Sequence, residues 1–357
     1  MGVPRSGTTL LYALLNQHPQ IALMYEADLL LLWPLFLKRR SKSQWLKRWN
    51  FWRGALERHQ LDISRIPSDV TDTRTAIETV CREYAHQKGA TIWGDKIANY
   101  YGGLSLLRLQ FPNARFVVIW RDPADVCRSV IRAGFRSPLL GKRGMAHRAL
   151  MGCFQLRIER DRLSQRGIHV HEILYEDLVR RPTEEMMKVC RFLGIPFDGK
   201  MSTLLAADRS ALTPYKHNVL VYGDTIVSSR DQPEVLPADL KRKIERYEVF
   251  WRAKHGDWPI FRCAQKSHVR KLLLLERLYD HLLYRLLQGW DLTVVFIYCF
   301  APLQLLKAYR AFKAGIPYFS TWEDYVRALS QRYADQIALR SGEAGTGVRP
   351  QQKHSAW

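Results

Sequence analysis

Apolar residues recur at helical spacing in Leu10, Leu11, Leu14 and Leu15, and the stretch is stopped by His18-Pro19. A helix from Thr8 follows. Gln20 to Met24 reads as a short apolar connection, leading through Tyr25-Glu26-Ala27-Asp28 into a leucine-rich helix. Residues from Thr71 to Gln87 suit an amphipathic helix, and Thr91-Ile92-Trp93 suits a short strand ending in Gly94-Asp95-Lys96. Arg115-Phe116-Val117-Val118-Ile119-Trp120 is nearly continuous hydrocarbon, as a strand buried on both faces requires. Asp122 then suits an N-cap, Pro123 the first helical position and Asp125 the first turn. Val170 to Tyr175 is a further strand. A helix from about Thr183 to Phe192 follows it, closed by Gly194 and Pro196. A helix from about Ala238 to Arg252 ends this body near Trp258-Pro259.

Strands alternating with helices predict an open, mostly parallel α/β sheet of P-loop type flanked by helices. Beyond it, His268 to Gln288 is leucine-rich and helical, and Leu292 to Leu306 is nearly charge-free but contains Pro302. The latter is shorter than the roughly 20 residues a spanning helix needs, so it reads as a buried or interfacial helix. The expected organisation is an α/β domain over 1–262, a helical hydrophobic and basic extension over 263–340, and a disordered tail over 341–357. At 357 residues the chain can bury a large core, and 47% hydrophobic with 25% charged residues is ordinary for a globular protein.

The charge is not ordinary. A net +21 implies an anionic partner: nucleotide, acidic acceptor, nucleic acid or membrane surface. From Trp33 to Arg53, tryptophans alternate with lysines and arginines. That mixture suits single-stranded nucleic acid, a membrane surface, an acidic acceptor or a helix covering a site mouth. The six cysteines show no metal-ligand spacing and read as reduced core thiols. With no signal peptide or N-terminal anchor apparent, a cytoplasmic protein is expected, membrane-associated at most through its extension.

Candidate chemistry begins at the first residues. Gly2 and Gly7 have the spacing of a phosphate-cradling loop, GxxxxGK[ST], but Thr8 stands at the lysine position and Thr9 at the Ser/Thr position. The cation is instead Arg5, whose planar guanidinium binds phosphate or sulfate oxygens in pairs. Backbone N–H groups from Ser6 to Thr9, at a helix start, add a dipole-favoured anion site. Such a loop suits a nucleotide end group better than a magnesium triphosphate. No strand precedes it here, so either a first strand is lacking or the true start lies upstream. Arg121, at a strand end, and Ser129, one turn beyond Asp125, can address one anion. Asp122 as a magnesium ligand is the competing reading. Lys96 is either a crevice residue or a surface lysine, and Glu26 either a functional acid or an acid in a helix's first turn. The irregular stretch Ser210 to Arg230 either folds over a ligand or merely connects.

Together Val3-Pro4-Arg5-Ser6-Gly7-Thr8-Thr9-Leu10, His18-Pro19 and Glu26 resemble the 5′-phosphosulfate loop and following acid of sulfotransferases. The likeness is greatest to the tyrosylprotein sulfotransferases and the bacterial proteins grouped with them. It runs from about Gly2 to Trp258. The resemblance implies that Arg121 and Ser129 bind a nucleotide 3′-phosphate and that Tyr175, in Tyr175-Glu176-Asp177-Leu178, contacts the nucleotide. It implies that Lys96 stabilises charge at the transferring group, that Arg230 stands for a nucleotide-binding lysine, and that Glu26 is the general base. The implied donor is 3′-phosphoadenosine 5′-phosphosulfate (PAPS), with sulfuryl transfer to a hydroxyl or amine and no metal. His18, the rival base, reads as a cap. The acceptor stays open among carbohydrate, lipid, peptide tyrosine and small molecule. The rival functions are a P-loop kinase and a basic membrane-surface or nucleic-acid binding protein with a decayed site; nucleic acid is the less expected partner.

Overall fold

A computed structural model describes residues 1–27, 41–53, 59–68, 70, 72–98, 103–135, 141–208, 212, 226, 236–255, 274–320, 324, 325, 327, 328 and 331. The side chains of 50–53, 63, 251–255, 291, 313 and 314 are left aside. The elements in order are α1 Thr8–Leu15, β1 Ile21–Tyr25, α2 Lys42–Arg53, α3 Thr73–Gln87, β2 Ile92–Lys96 and α4 Leu104–Gln110. Then come β3 Phe116–Trp120, α5 Pro123–Arg132, α6 Gly141–Gln165, β4 Val170–Leu174, α7 Tyr175–Arg180 and α8 Pro182–Leu193. Three further helices follow: α9 Ala238–His255, α10 Leu274–Phe300 and α11 Leu303–Ala314.

The architecture is the α/β one expected, with every described strand pair parallel. β1 pairs with β2 from Ile21↔Ile92 to Tyr25↔Lys96, and β3 with β4 from Phe116↔Val170 to Trp120↔Leu174. Among the described residues these pairs are two separate two-stranded sheets, where the sequence suggests one open sheet. Between them lies a cavity of about 670 Å³, lined by Trp93 and Asp95 of β2, Val117 of β3, and Met1. Met1 runs beside β3, its N–H donating to the Val117 carbonyl while Ile119 N–H donates to the Met1 carbonyl. That alternation is the ladder of a parallel strand pair.

Within the stretch Gln20 to Met24, residues 21–24 belong to strand β1 and are not the connection the sequence suggests. Ala22, Leu23 and Met24 have little β preference of their own, so pairing with β2 makes the strand. The extension also differs: one helix runs through Gly289 to Phe300, and Pro302 caps the start of α11 instead of sitting inside a helix. A single exposed glycine lowers helix stability without ending it, whereas proline's missing N–H costs nothing at a helix start.

Three apolar clusters hold the layers. Val118, Phe154 and Tyr247 belong to one on the α5–α6–α9 side, and Tyr284 of α10 joins it. Trp45, Trp49 and Val80 form another beside β1, which Val295 and Cys299 of α10 complete. The third packs α1 against β4 and α8. Trp45 and Trp49 are therefore core residues, 1% and 0% exposed, and offer no face to a base. Arg48 is spent on the carbonyls of Tyr298 and Phe300 at the end of α10. Trp33 and the basic residues 38–40 lie outside the described residues. All five described cysteines are buried free thiols.

Candidate active site

Parallel pairing puts the carboxyl ends of β1 and β2 together and those of β3 and β4 together, and Glu26, Lys96, Arg121 and Tyr175 stand at or next to those ends. Gly7 caps α1 with φ +100, a conformation that strains any side chain. A Cβ there would lie 2.4 Å from the Tyr175 ring, and one on Gly2 would lie 2.4 Å from Ser6 Oγ. The loop is therefore drawn against β4's end and folded tightly on itself. Arg5 also has positive φ, at 74°, a position that non-glycine residues rarely occupy. It is held from both sides. Its Nε donates to Ser129 Oγ at 3.1 Å, and its carbonyl accepts from Arg121 at 3.1 Å. The Arg121 guanidinium lies 4.4 Å from the centre of the Tyr175 ring.

Arg5, Gly7, Arg121, Ser129 and Tyr175 thus form one cradle. Arg121 leaves β3 directly, and Ser129 faces it because Asp122 starts α5 at once. The Asp122 carboxylate accepts from Ala124 N–H at 2.7 Å, with Pro123 next, so it is a helix cap. Thr8 is buried and Thr9 half-buried at the start of α1. Ser6 behaves otherwise than expected. Its N–H and its hydroxyl both donate to the Val3 carbonyl, at 3.1 and 2.8 Å, so closing the turn consumes both donors. Burial, and after it the Arg121 charge, push the Arg5 guanidinium below its ordinary value. Two cations brought together in a buried cradle are the arrangement an anion offsets.

The ends of β1 and β2 carry the second half of the site. Tyr25 and Lys96 are register partners, and Glu26 N–H donates to the Lys96 carbonyl at 3.0 Å. Glu26 has φ 47, turning the chain off the strand, and its carboxylate forms an ion pair with the Lys96 ammonium. Lys96 is 5% exposed at its side chain and Glu26 32%, so the acid is the solvent-facing member. Glu26 follows the strand end and sits outside any described helix. Lys96 is the last residue of β2, well inside the protein. Its ammonium also lies 4.4 Å from the centre of the Tyr25 ring, whose hydroxyl is 3.4 Å from Thr9 Oγ1.

Tyr25 is a contributor that the sequence reading passed over, because an aromatic in an apolar run looks like core. The cue was its place immediately before an acid at the run's end. Trp49 supports the same corner through Nε1 to the Ala27 carbonyl at 3.3 Å. His18 is 3% exposed, bonded to the Pro196 carbonyl and to Gln20 N–H, and stands as a structural residue. Arg230 and nearly all of Ser210–Arg230 lie outside the described residues. Among the described residues, no group of three or more His, Cys, Asp or Glu side chains could hold a metal.

Residues 1–199 match the profile of the Sulfotransferase family. A protein-tyrosine sulfotransferase of Drosophila melanogaster is 30% identical over 208 residues, which cover 55% of this chain and 38% of that protein. Protein-tyrosine sulfotransferase 1 of Danio rerio is 28% identical over 205 residues, 55% of this chain and 52% of its own. The nodulation protein NoeE of Sinorhizobium fredii is 25% identical over 228 residues, 54% and 49% of the two chains. The chain thus spans about half the length, or less, of these curated relatives. The solved sulfotransferase domain of the Synechococcus PCC 7002 olefin synthase has a TM-score of 0.46 at 20% identity, covering 69% of this chain and 92% of that one. The family match takes in more than half of the chain and includes the loop, the strand ends and both halves of the site, so the protein belongs to the sulfotransferase family.

Proposed function

We propose that this protein is a sulfotransferase that takes its sulfuryl group from PAPS and delivers it in line to an acceptor hydroxyl without a metal. The observation that carries this reading is the joining of Arg5 to both Ser129 and Arg121 beside Gly7 and Tyr175. A bisphosphorylated nucleotide fits such a cradle. Two guanidiniums offset its phosphates, α1 begins at the loop, and Gly7 keeps the wall free of a Cβ. Arg121 and Ser129 would hold the 3′-phosphate. Arg5 and the loop from Gly7 to Thr9 would hold the 5′ end, with Tyr175 beside the nucleotide.

Chemistry then falls to the Lys96–Glu26 pair. Glu26 accepts the acceptor's hydroxyl proton as the acceptor oxygen–sulfur bond forms. The sulfur–oxygen bond to the 5′-phosphate breaks, and 3′-phosphoadenosine 5′-phosphate (PAP) leaves. Lys96 has three N–H donors, so it can hold Glu26 and also neutralise charge on the leaving phosphate, with Arg5 on the other side. A sulfuryl group carries less charge than a γ-phosphoryl, and fixed donors suffice for it. The relatives' names support a hydroxyl acceptor, a protein tyrosine among them.

Glu26→Gln tests this division of labour. Turnover should fall about 10²- to 10⁴-fold, the usual worth of a positioned base, while PAP affinity changes by less than about threefold. Unchanged turnover with any tested acceptor would remove Glu26 from the chemistry.

A further inference from the structure

The outer face of α10 is the largest feature the proposed activity leaves unused. Leu278, Leu282, Leu286 and Trp290, four residues apart, are 56%, 60%, 57% and 43% exposed, and Phe296 continues the stripe at 46%. Phe312 of α11 is 85% exposed. The stripe follows one helix of 27 residues, about 40 Å at 1.5 Å per residue. Exposed apolar surface of that extent marks an interaction face.

Charge says what the face meets. Among the described side chains of α10, both carboxylates are held in ion pairs with cations of α9. Glu276 is paired with Arg246, and Asp280, 1% exposed, holds Lys243 and receives the Tyr247 hydroxyl. Arg277 lies half-buried over the Phe250 ring, whereas Arg285 is exposed one turn from Leu282 and next to Leu286. An apolar stripe carrying a cation and an indole is the composition of a helix lying in a lipid interface. No described helix is long and apolar enough to cross a membrane.

We infer that α10 lies flat on an anionic bilayer surface, with the Leu278–Leu282–Leu286–Trp290 stripe in the acyl boundary and Arg285 at the phosphates. This does not depend on the sulfotransferase reading. Its C-terminal half packs on α2, whose Trp49 touches Ala27 beside Glu26, so docking there brings the crevice wall close to the membrane.

Flotation of the full chain with phosphatidylcholine vesicles, with and without phosphatidylglycerol, tests the inference. Binding should require the anionic lipid and fall at least about tenfold in Leu278→Glu/Leu282→Glu/Leu286→Glu, with circular dichroism unchanged. If that variant does not fold, two milder ones carry the test. Arg285→Glu should weaken anionic-vesicle binding severalfold, and brominated lipid should quench the wild type more than Trp290→Phe. Vesicle binding indifferent to these changes overturns the inference, as does no binding at all. So does a concentration-dependent dimer in sedimentation that the same substitutions break while vesicles are ignored, which assigns the face to a second copy.

Discussion

In the cradle, Ser6, Arg121, Ser129 and Tyr175 are each less than a tenth exposed, whereas on α10 a row of leucines stands more than half exposed. The two regions spend free energy in opposite directions. Around Arg5 the chain buries polar and charged groups, and it holds them with side-chain hydrogen bonds, a ring against a guanidinium and a strained positive φ at Arg5 itself. Such sites are costly and are kept where an anion repays them. Along α10 the cost is exposed hydrocarbon, repaid only by something that covers it. Asp280 of α10 follows the opposite rule to the leucines: it is sealed inside with Lys243 and Tyr247. On the two proposals made above, each region has a partner of its own, one an anion and the other a surface.

Gly7→Val breaks the cradle most completely. A Cβ at +100° would meet Tyr175 at 2.4 Å, so the ring moves off Arg121 or the loop opens. PAP affinity should fall at least about 100-fold by calorimetry, beyond a single bidentate contact, while vesicle flotation stays at the wild-type level. Equal loss of both would show that the two regions are not independent.

Asp280→Ala acts on the other region. It leaves Lys243, Tyr247 and the base of α10 without their acceptor. The expected loss is about 3 kcal/mol in urea unfolding, at the low end for a broken buried pair because Lys243 reaches solvent. PAP affinity should move by less than about twofold. A larger change there would make α10 part of the site's support.

The cradle's framework was legible in the chain because local signals agree there. The hydrocarbon run through Trp120 gives a buried strand, and Asp122-Pro123 starts the next helix at once. That fixes Arg121 and Ser129 on one crevice. β1 was not legible, because Ala22, Leu23 and Met24 become a strand only by pairing with β2. Without that strand Tyr25 has no place under Lys96, and so the sequence hides it. The single span of α10 was equally hidden: Gly289 resembles a stop, and only packing of Tyr284 on one side and Val295 on the other carries the helix through it. Burial of Trp45 and Trp49 likewise depends on α10, which lies far along the chain.

The smallest effect expected is on pH dependence. His147 is buried beside Lys243 and Asp280, and burial first, then the Lys243 charge, lower its pKa. The unfolded chain takes up a proton below about 6.5 that the native chain resists, so it binds more protons there and stability rises with pH. The contribution is full above that value and is lost as pH falls below it. His147→Gln should make the acid side of the stability profile shallower without flattening it, because burial lowers His171 in the same direction. An unchanged profile would mean that His147 charges freely in the native protein.

The central claim is that Arg5, Arg121 and Ser129 make a site for a bisphosphorylated nucleotide. Equilibrium binding of PAP, with Mg·ATP as competitor and Arg121→Ala as control, tests it most directly. The account predicts micromolar PAP binding that ATP displaces poorly and that Arg121→Ala weakens at least about tenfold, the worth of a charge-assisted bidentate contact. ATP binding the tighter of the two, or PAP binding unchanged in Arg121→Ala, would contradict it.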